Sequence, residues 1–307
     1  MDSCGGSGGN AAGDENNQPE TSPVILASGQ ISPYGITVDA DNAYWTELAQ
    51  DGSVKKVGLT GGPVTTIATG LKNPMRIVAD SANLYWIEYG TRDDDGAVQQ
   101  SRKTDGLVTT LAAGLHHPYG IAVDAHNVYW TEYGTYGNNN SGSVKKINLD
   151  AGTVTVLAPG LFHPYEITVD STNVYWTDDN GTISTILKSG GTPTVLASGL
   201  DHPYGIAVDS TRVYWTDEST IACAQLISGT TVTTLVSGLK KPHAIALDSV
   251  GVYWTEYFGN TVRRARKNGG TITTLATGSD NPAAIAVDST SVYYTESFGG
   301  TVMKVAK

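Results

Sequence analysis

The stretch GLHHPYGIAVDAHNVYWTEYG, residues 114 to 134, decides the fold. It sets a Pro-Tyr-Gly turn, a short apolar run ending in aspartate, and a Tyr-Trp pair closed by Thr-Glu in close succession. The phrase recurs as AYWTE at 43–47, LYWIE at 84–88, VYWTE at 128–132, VYWTD at 174–178, VYWTD at 213–217, VYWTE at 252–256 and VYYTE at 292–296, seven copies spaced 39 to 46 residues apart. Before the copies come YGITVD, MRIVAD, YGIAVD, YEITVD, YGIAVD, HAIALD and AAIAVD, beginning at 34, 75, 119, 165, 204, 243 and 283. After them come segments like GSVKKVGL and PVTTIATG. Each run is alternating or continuously apolar over a few residues, the pattern of a short strand. Four such strands in a unit of about 40 residues make a propeller blade.

A fourth-strand sequence, VILASG at 24–29, precedes the first complete set, and the last set ends at GTVMKVAK without one. The reading is an all-β chain: a single seven-bladed β-propeller over residues 23–307, four antiparallel strands per blade, with the N-terminal strand completing the last blade. Pairing the two chain ends removes the open edges that a linear array would expose. The second strand of a blade is covered on both faces, so the Tyr-Trp pairs are expected in the core. The aspartates ending the first strands (Asp39, Asp80, Asp124, Asp170, Asp209, Asp248, Asp288) precede short polar links whose backbone N–H groups they can cap.

Thirty acids against 19 bases give a net charge of −11, which disfavours a nucleic-acid partner. Arg263, Arg264, Arg266 and Lys267 form a basic cluster that reads as a charged strand edge. No apolar run approaches the ~20 residues of a membrane-spanning helix. Residues 1–22, MDSCGGSGGNAAGDENNQPETS, have little to bury and are expected to be disordered. They resemble the start of a mature bacterial lipoprotein, in which a cysteine followed by a Gly/Ser/Asn tether carries lipid. That implies an exported protein, periplasmic, outer-membrane-anchored or extracellular, tethered through a lipidated Cys4; the alternative is a plain flexible leader. A monomer is expected. No disulfide is expected between Cys4 in the tail and Cys223 in a strand.

In a propeller, the links between blades share a face with the loops joining second and third strands, and equivalent positions converge on the axis. Convergent polar groups at such a mouth make a candidate site. Before the prolines stand Ser32, Asn73, His117, His163, His202, Lys241 and Asn281, and after them Tyr34, Met75, Tyr119, Tyr165, Tyr204, His243 and Ala283. The histidine ring reads either as a ligand set or as the copying of one His-Pro-Tyr-Gly blade. Gly35, Gly120 and Gly205 suit a crowded strand start, whereas blades two and four carry Arg76 and Glu166, which need a ligand or each other. The closing acids Glu47, Glu88, Glu132, Asp178, Asp217, Glu256 and Glu296 either pin the connections or join the site, and the next positions, among them Tyr89, Tyr133 and Tyr257, vary. The longest loops, at 91–97 and 135–143, are expected to build a binding rim. Asp93, Asp94 and Asp95 offer carboxylates that could hold a Ca²⁺, without the alternating spacing of a Ca²⁺ loop.

The unit PYGI(T/A)VD…YWTE resembles the YWTD and NHL-type propeller repeats, and over residues 24–307 is similar to the seven-bladed streptogramin (virginiamycin B) lyase family. That resemblance implies His243 as a base and Glu256 as a ligand of Mg²⁺, in a metal-assisted elimination that opens a cyclic ester. Lys241 stands where the family places a second acidic ligand. Two functions follow as expectations. One is an exported propeller that binds a small molecule, peptide or protein at the mouth through Tyr34, Asn73, Arg76, His117, Tyr119, His163, Tyr165, Glu166, His202, Tyr204, Lys241, Tyr89, Tyr133 and Tyr257. The other is a lyase, or a lactonase-like hydrolase, with Mg²⁺ or Ca²⁺ as the cofactor it would need.

Overall fold

A computed structural model describes residues 22–226 and 231–307. The tail with Cys4 lies outside them apart from its last residue.

Among the described residues, 28 strands form seven four-stranded antiparallel sheets arranged in sequence order around an axis. The first, β1 (Val24–Ala27), pairs with β28 (Thr301–Ala306) in the last sheet, Val24 opposite Lys304 and Ala27 opposite Val302. The ring is closed as the repeat count requires. The six tryptophans are fully buried, and with the tyrosines beside them fill the spaces between blades. Trp45 packs toward one neighbour and Tyr44 toward the other, because adjacent residues on a strand face opposite ways.

Two devices hold each blade to the next. Near the axis, the threonine of the YWT phrase accepts the N–H of its own first strand and donates to the first strand of the following blade: Thr46 to the Met75 oxygen, Thr131 to Tyr165, Thr177 to Tyr204 and Thr216 to His243. On the opposite face, the aspartate closing each first strand caps the turn as expected. Asp39 Oδ1 accepts the N–H groups of Asp41 and Asn42, while its Oδ2 accepts the Tyr44 hydroxyl. A lysine of the next blade adds an ion pair at four junctions: Lys103 to Asp39, Lys188 to Asp124, Lys267 to Asp209 and Lys307 to Asp248.

The glycine positions follow from the close approach of first strands. A Cβ on Gly35, Gly120 or Gly205 would lie 2.3, 2.5 and 2.4 Å from the main-chain oxygens of Met75, Tyr165 and His243, far inside van der Waals contact. Cys223 is buried and has no disulfide partner among the described residues.

Candidate functional site

Every blade is entered through a proline, and the residue before each is left-handed: Ser32, Asn73, His117, His163, His202, Lys241 and Asn281 have φ between 45° and 54°. Asn and His adopt this region more readily than most residues. The histidine ring therefore has a backbone reason, and its side chains do not converge. His117, 3% exposed, is packed between the rings of Tyr89 and Tyr136, with Nδ1 3.1 Å from the Gly134 oxygen. His163 lies flat on Tyr133 at 4.1 Å, with Nδ1 3.3 Å from Asp179 Oδ2. Asn73 donates to the Gly90 oxygen. His202 alone of the three histidines lines the cavity described next, where it is exposed and 3.0 Å from Asp201.

The residues after the prolines do converge. The Tyr204 hydroxyl, on the axis, is 3.2 Å from that of Tyr34 and 2.5 Å from that of Tyr119. Beneath them the Arg76 Nη2 donates to Tyr204 at 3.1 Å, and its Nε donates to Glu166 Oε1 at 2.5 Å across the channel. The guanidinium also lies 5.0 and 5.7 Å from the ring centres of Tyr34 and Tyr204, within cation–π range. Burial works against the Arg76 charge, but Glu166 together with the oxygens of Tyr204, Tyr34 and Tyr119 more than offsets it and holds the guanidinium protonated. The two charges that the fold had to accommodate neutralise each other on the axis.

Above this floor opens a chamber of about 620 Å³ lined by Tyr34, Tyr119, Tyr165, Tyr204, Pro242, His243 and Tyr257, with Asp201, His202, Asp217, Glu218 and Lys241. Below it, Arg76 and Glu166 line a cavity of about 180 Å³ with the isoleucines of the first strands, so the ion pair closes the chamber from the lower channel. Tyr89 and Tyr133 stand outside the chamber in a second aromatic tier, which reaches it through ring contacts with Tyr119 and Tyr165. The chamber is flanked by blades four to six, on the side of the short loops. The long loops of blades two and three instead cover His117, with Tyr136 on one side and Asp93 Oδ1 3.7 Å from its Nδ1.

His243 is stacked on Tyr204 at 4.1 Å, and its Nδ1 is 2.7 Å from the Ala283 oxygen. A carbonyl only accepts, so Nδ1 carries the proton and Nε2 keeps its lone pair. Burial, then the positive charges of Arg76 and Lys241, lower the imidazole to about 3 against the opposing pull of that hydrogen bond. A base that weak is a poor proton acceptor near neutrality but a good hydrogen-bond acceptor and stacking surface.

The Mg²⁺ implied by the resemblance does not fit these residues. Glu256 is 1% exposed and its oxygens are engaged: Oε2 accepts the Lys240 N–H, while Oε1 lies 3.2 Å from both Trp254 Nε1 and Arg263 Nη1. Glu47, Glu88 and Glu132 likewise accept the N–H of the residue two before the proline, so these acids pin the inter-blade links. Lys241 adds a cation where a metal needs an anion. Asp95 is spent on the Thr91 and Arg92 N–H groups and Lys72. Among the described residues, no three His, Cys, Asp or Glu side chains are grouped to hold a metal ion.

Asp201 belongs to no repeated site position in the sequence, Glu218 is one of the varying residues after the closing acid, and Asp217 is one of seven equivalent acids. The signal that could have found them is the single repeat in which two acids follow YWT beside a third acid in the link.

No protein-family model matches the sequence, and no curated protein sequence matches it. Solved structures do. Virginiamycin B lyase from Staphylococcus aureus superposes with a TM-score of 0.77 at 19% identity, covering 94% of this chain and 99% of that one. A streptogramin B lyase gives 0.74 at 17% identity, covering 93% and 96%. The nidogen/laminin complex gives 0.58 at 23%, covering 73% and 89%. The chain is therefore a seven-bladed β-propeller similar in fold to streptogramin lyases and to a YWTD propeller.

Proposed function

We propose that this propeller is a binding protein that takes a small molecule, or the end of a peptide, into the axial chamber without a metal ion. The observation that carries the reading is the chamber itself: five tyrosines and a neutral histidine around about 620 Å³, with the Arg76–Glu166 charges neutralised beneath its floor. A cavity of this size, aromatic over one side with charged groups along a wall, has the dimensions of a small-molecule site. Thermal unfolding of the full chain against a panel of aromatic ligands tests it, since a ligand bound only by the folded form raises the melting temperature. Loss of that shift in Tyr204→Ala, with Mg²⁺ and Ca²⁺ giving none, is the expected result.

A second reading is favoured by the His243 tautomer. Its lone pair at Nε2 is the one that proton abstraction would use, at the position to which the lyase resemblance assigns the base. One of the similar structures is a catalytically inactive histidine-to-alanine variant of virginiamycin B lyase with quinupristin. Ring opening of quinupristin by this protein, abolished in His243→Ala, would establish the lyase reading and displace the binder. We also propose export and lipidation at Cys4; intact mass measurement of protein extracted from its native membranes tests for the acyl chains.

A further inference from the structure

The chamber breaks the repeat at one place, and the break places negative charge inside it. In six blades the proline pairs with the closing acid across the first two strands, as Pro164 does with Asp178 and Pro242 with Glu256. Blade five lacks that pair. Its first strand, β18 (Ile206–Val208), starts late, and its second, β19 (Arg212–Thr216), stops before Asp217. In the other blades the N–H after the closing acid bonds to the residue before proline, as Tyr257 does to Lys241, although Asp179 shares its N–H between His163 and Phe162. In blade five Glu218 bonds instead to Asp201, one residue earlier. Asp217 thus lies outside the strand pairing and, like Asp178 and Glu296, which bond to Thr182 and Thr301, it pins no link. Its carboxylate caps the Ser219 and Thr220 N–H groups and lines the chamber, half-buried, while its counterparts Glu47, Glu88, Glu132, Asp178 and Glu256 are buried. Glu218 and Asp201 stand beside it, exposed, and Glu218 forms no side-chain hydrogen bond or ion pair among the described residues.

Three carboxylates therefore face aromatic rings across one wall. The single cation lining the chamber, Lys241, is turned onto Phe258, its Nζ 5.0 Å from the ring centre. Ring faces carry negative potential, and combined with unneutralised acids they select positive charge on an organic body. Resting on the binding role proposed above, the geometry points to an organic cation as the ligand: an aromatic or apolar body cupped by Tyr165, Tyr204, His243 and Tyr257, with its ammonium or guanidinium against Asp217 and Glu218.

The test uses three probes of one shape and different charge, benzyltrimethylammonium, benzyl alcohol and phenylacetate, titrated into the full chain by calorimetry. The cation should bind tightest, and more weakly as salt rises. Glu218→Gln, at an exposed position, should weaken it by roughly threefold to tenfold while leaving benzyl alcohol unchanged, and Asp217→Asn should act in the same direction. Lys241→Met should strengthen it. Equal binding of all three probes, or preference for phenylacetate, overturns the cation assignment and leaves the chamber as a binding site. Saturable binding by none at millimolar concentration overturns both.

Discussion

The hydroxyl of Thr295 donates a 2.7 Å hydrogen bond to the main-chain oxygen of Tyr34, 261 residues away, and so joins blade seven to blade one. The same hydroxyl accepts the Ala284 N–H. It repeats at the ring closure the bond that Thr46, Thr131, Thr177 and Thr216 make between neighbours. Two blades depart. Blade two has Ile87 in place of the threonine, and in blade six His243 takes the carbonyl of Ala283. The candidate site thus draws His243 into place with a group that is elsewhere part of the scaffold.

Thr295→Val keeps the shape but removes both bonds, leaving a buried N–H and C=O unpaired. It should cost about 1–3 kcal/mol in denaturant unfolding, with closure the first region to lose amide protection from hydrogen exchange. A cost no larger than that of an exposed threonine would show that strand β1 alone closes the ring.

Gly120→Ala places a methyl group 2.5 Å from the Tyr165 oxygen, and the strands must separate. A loss of about 1–3 kcal/mol is expected, with a change in the near-ultraviolet circular dichroism of the chamber tyrosines. Unchanged stability would mean that the first strands have room to move apart.

The Arg76–Glu166 pair should behave as a buried couple. Arg76→Leu or Glu166→Leu alone leaves a buried charge, costing about 3–5 kcal/mol, whereas the double substitution should recover much of that loss. A double-mutant cycle in urea checks this; additive losses would contradict it.

Two groups of residues set the acid stability, in different windows. His243 is lowered from its ordinary 6.5 to about 3, so its neutral form is the folded one. The unfolded chain takes up a proton first, and stability falls as pH drops from about 6.5 toward 3. For Asp39, burial alone would raise the carboxyl, but the Lys103 ammonium, the Asp41 and Asn42 N–H groups and the Tyr44 hydroxyl hold it at about 2. That contribution is whole above the ordinary carboxylate value and is lost as pH falls from about 4 through 2. Asp124, Asp209 and Asp248, each with its lysine, are held down as well. Melting temperature against pH should lose its upper slope in His243→Phe and part of its lower slope in Lys188→Met. The reverse assignment of slopes would refute this account.

Nitrogen-detected NMR offers a direct check on the imidazole: protonated Nδ1, bare Nε2, and no titration of His243 between pH 5 and 8. A titration near 6.5 would put His243 in a more hydrated setting than the chamber provides.

The seven-blade count, the closure by the first strand, the aromatic core and the aspartate caps were all legible in the sequence, because each depends on a local pattern repeated with fixed period. So was the convergence of Tyr34, Tyr119, Tyr204, Arg76 and Glu166, since equivalent positions in a closed ring share an axis. What only the tertiary structure decided was which repeated residues differ from their copies in surroundings. His117 and His163 stand at the same repeat position as Lys241, which lines the chamber, yet Tyr89 and the long-loop Tyr136 bury His117, and Tyr133 stacks over His163. Asp217 has the same sequence setting as Asp178, yet its strand stops one residue short of it and it lines the chamber. A repeat fixes where a backbone goes, but the environment of a side chain is set by residues far away in sequence.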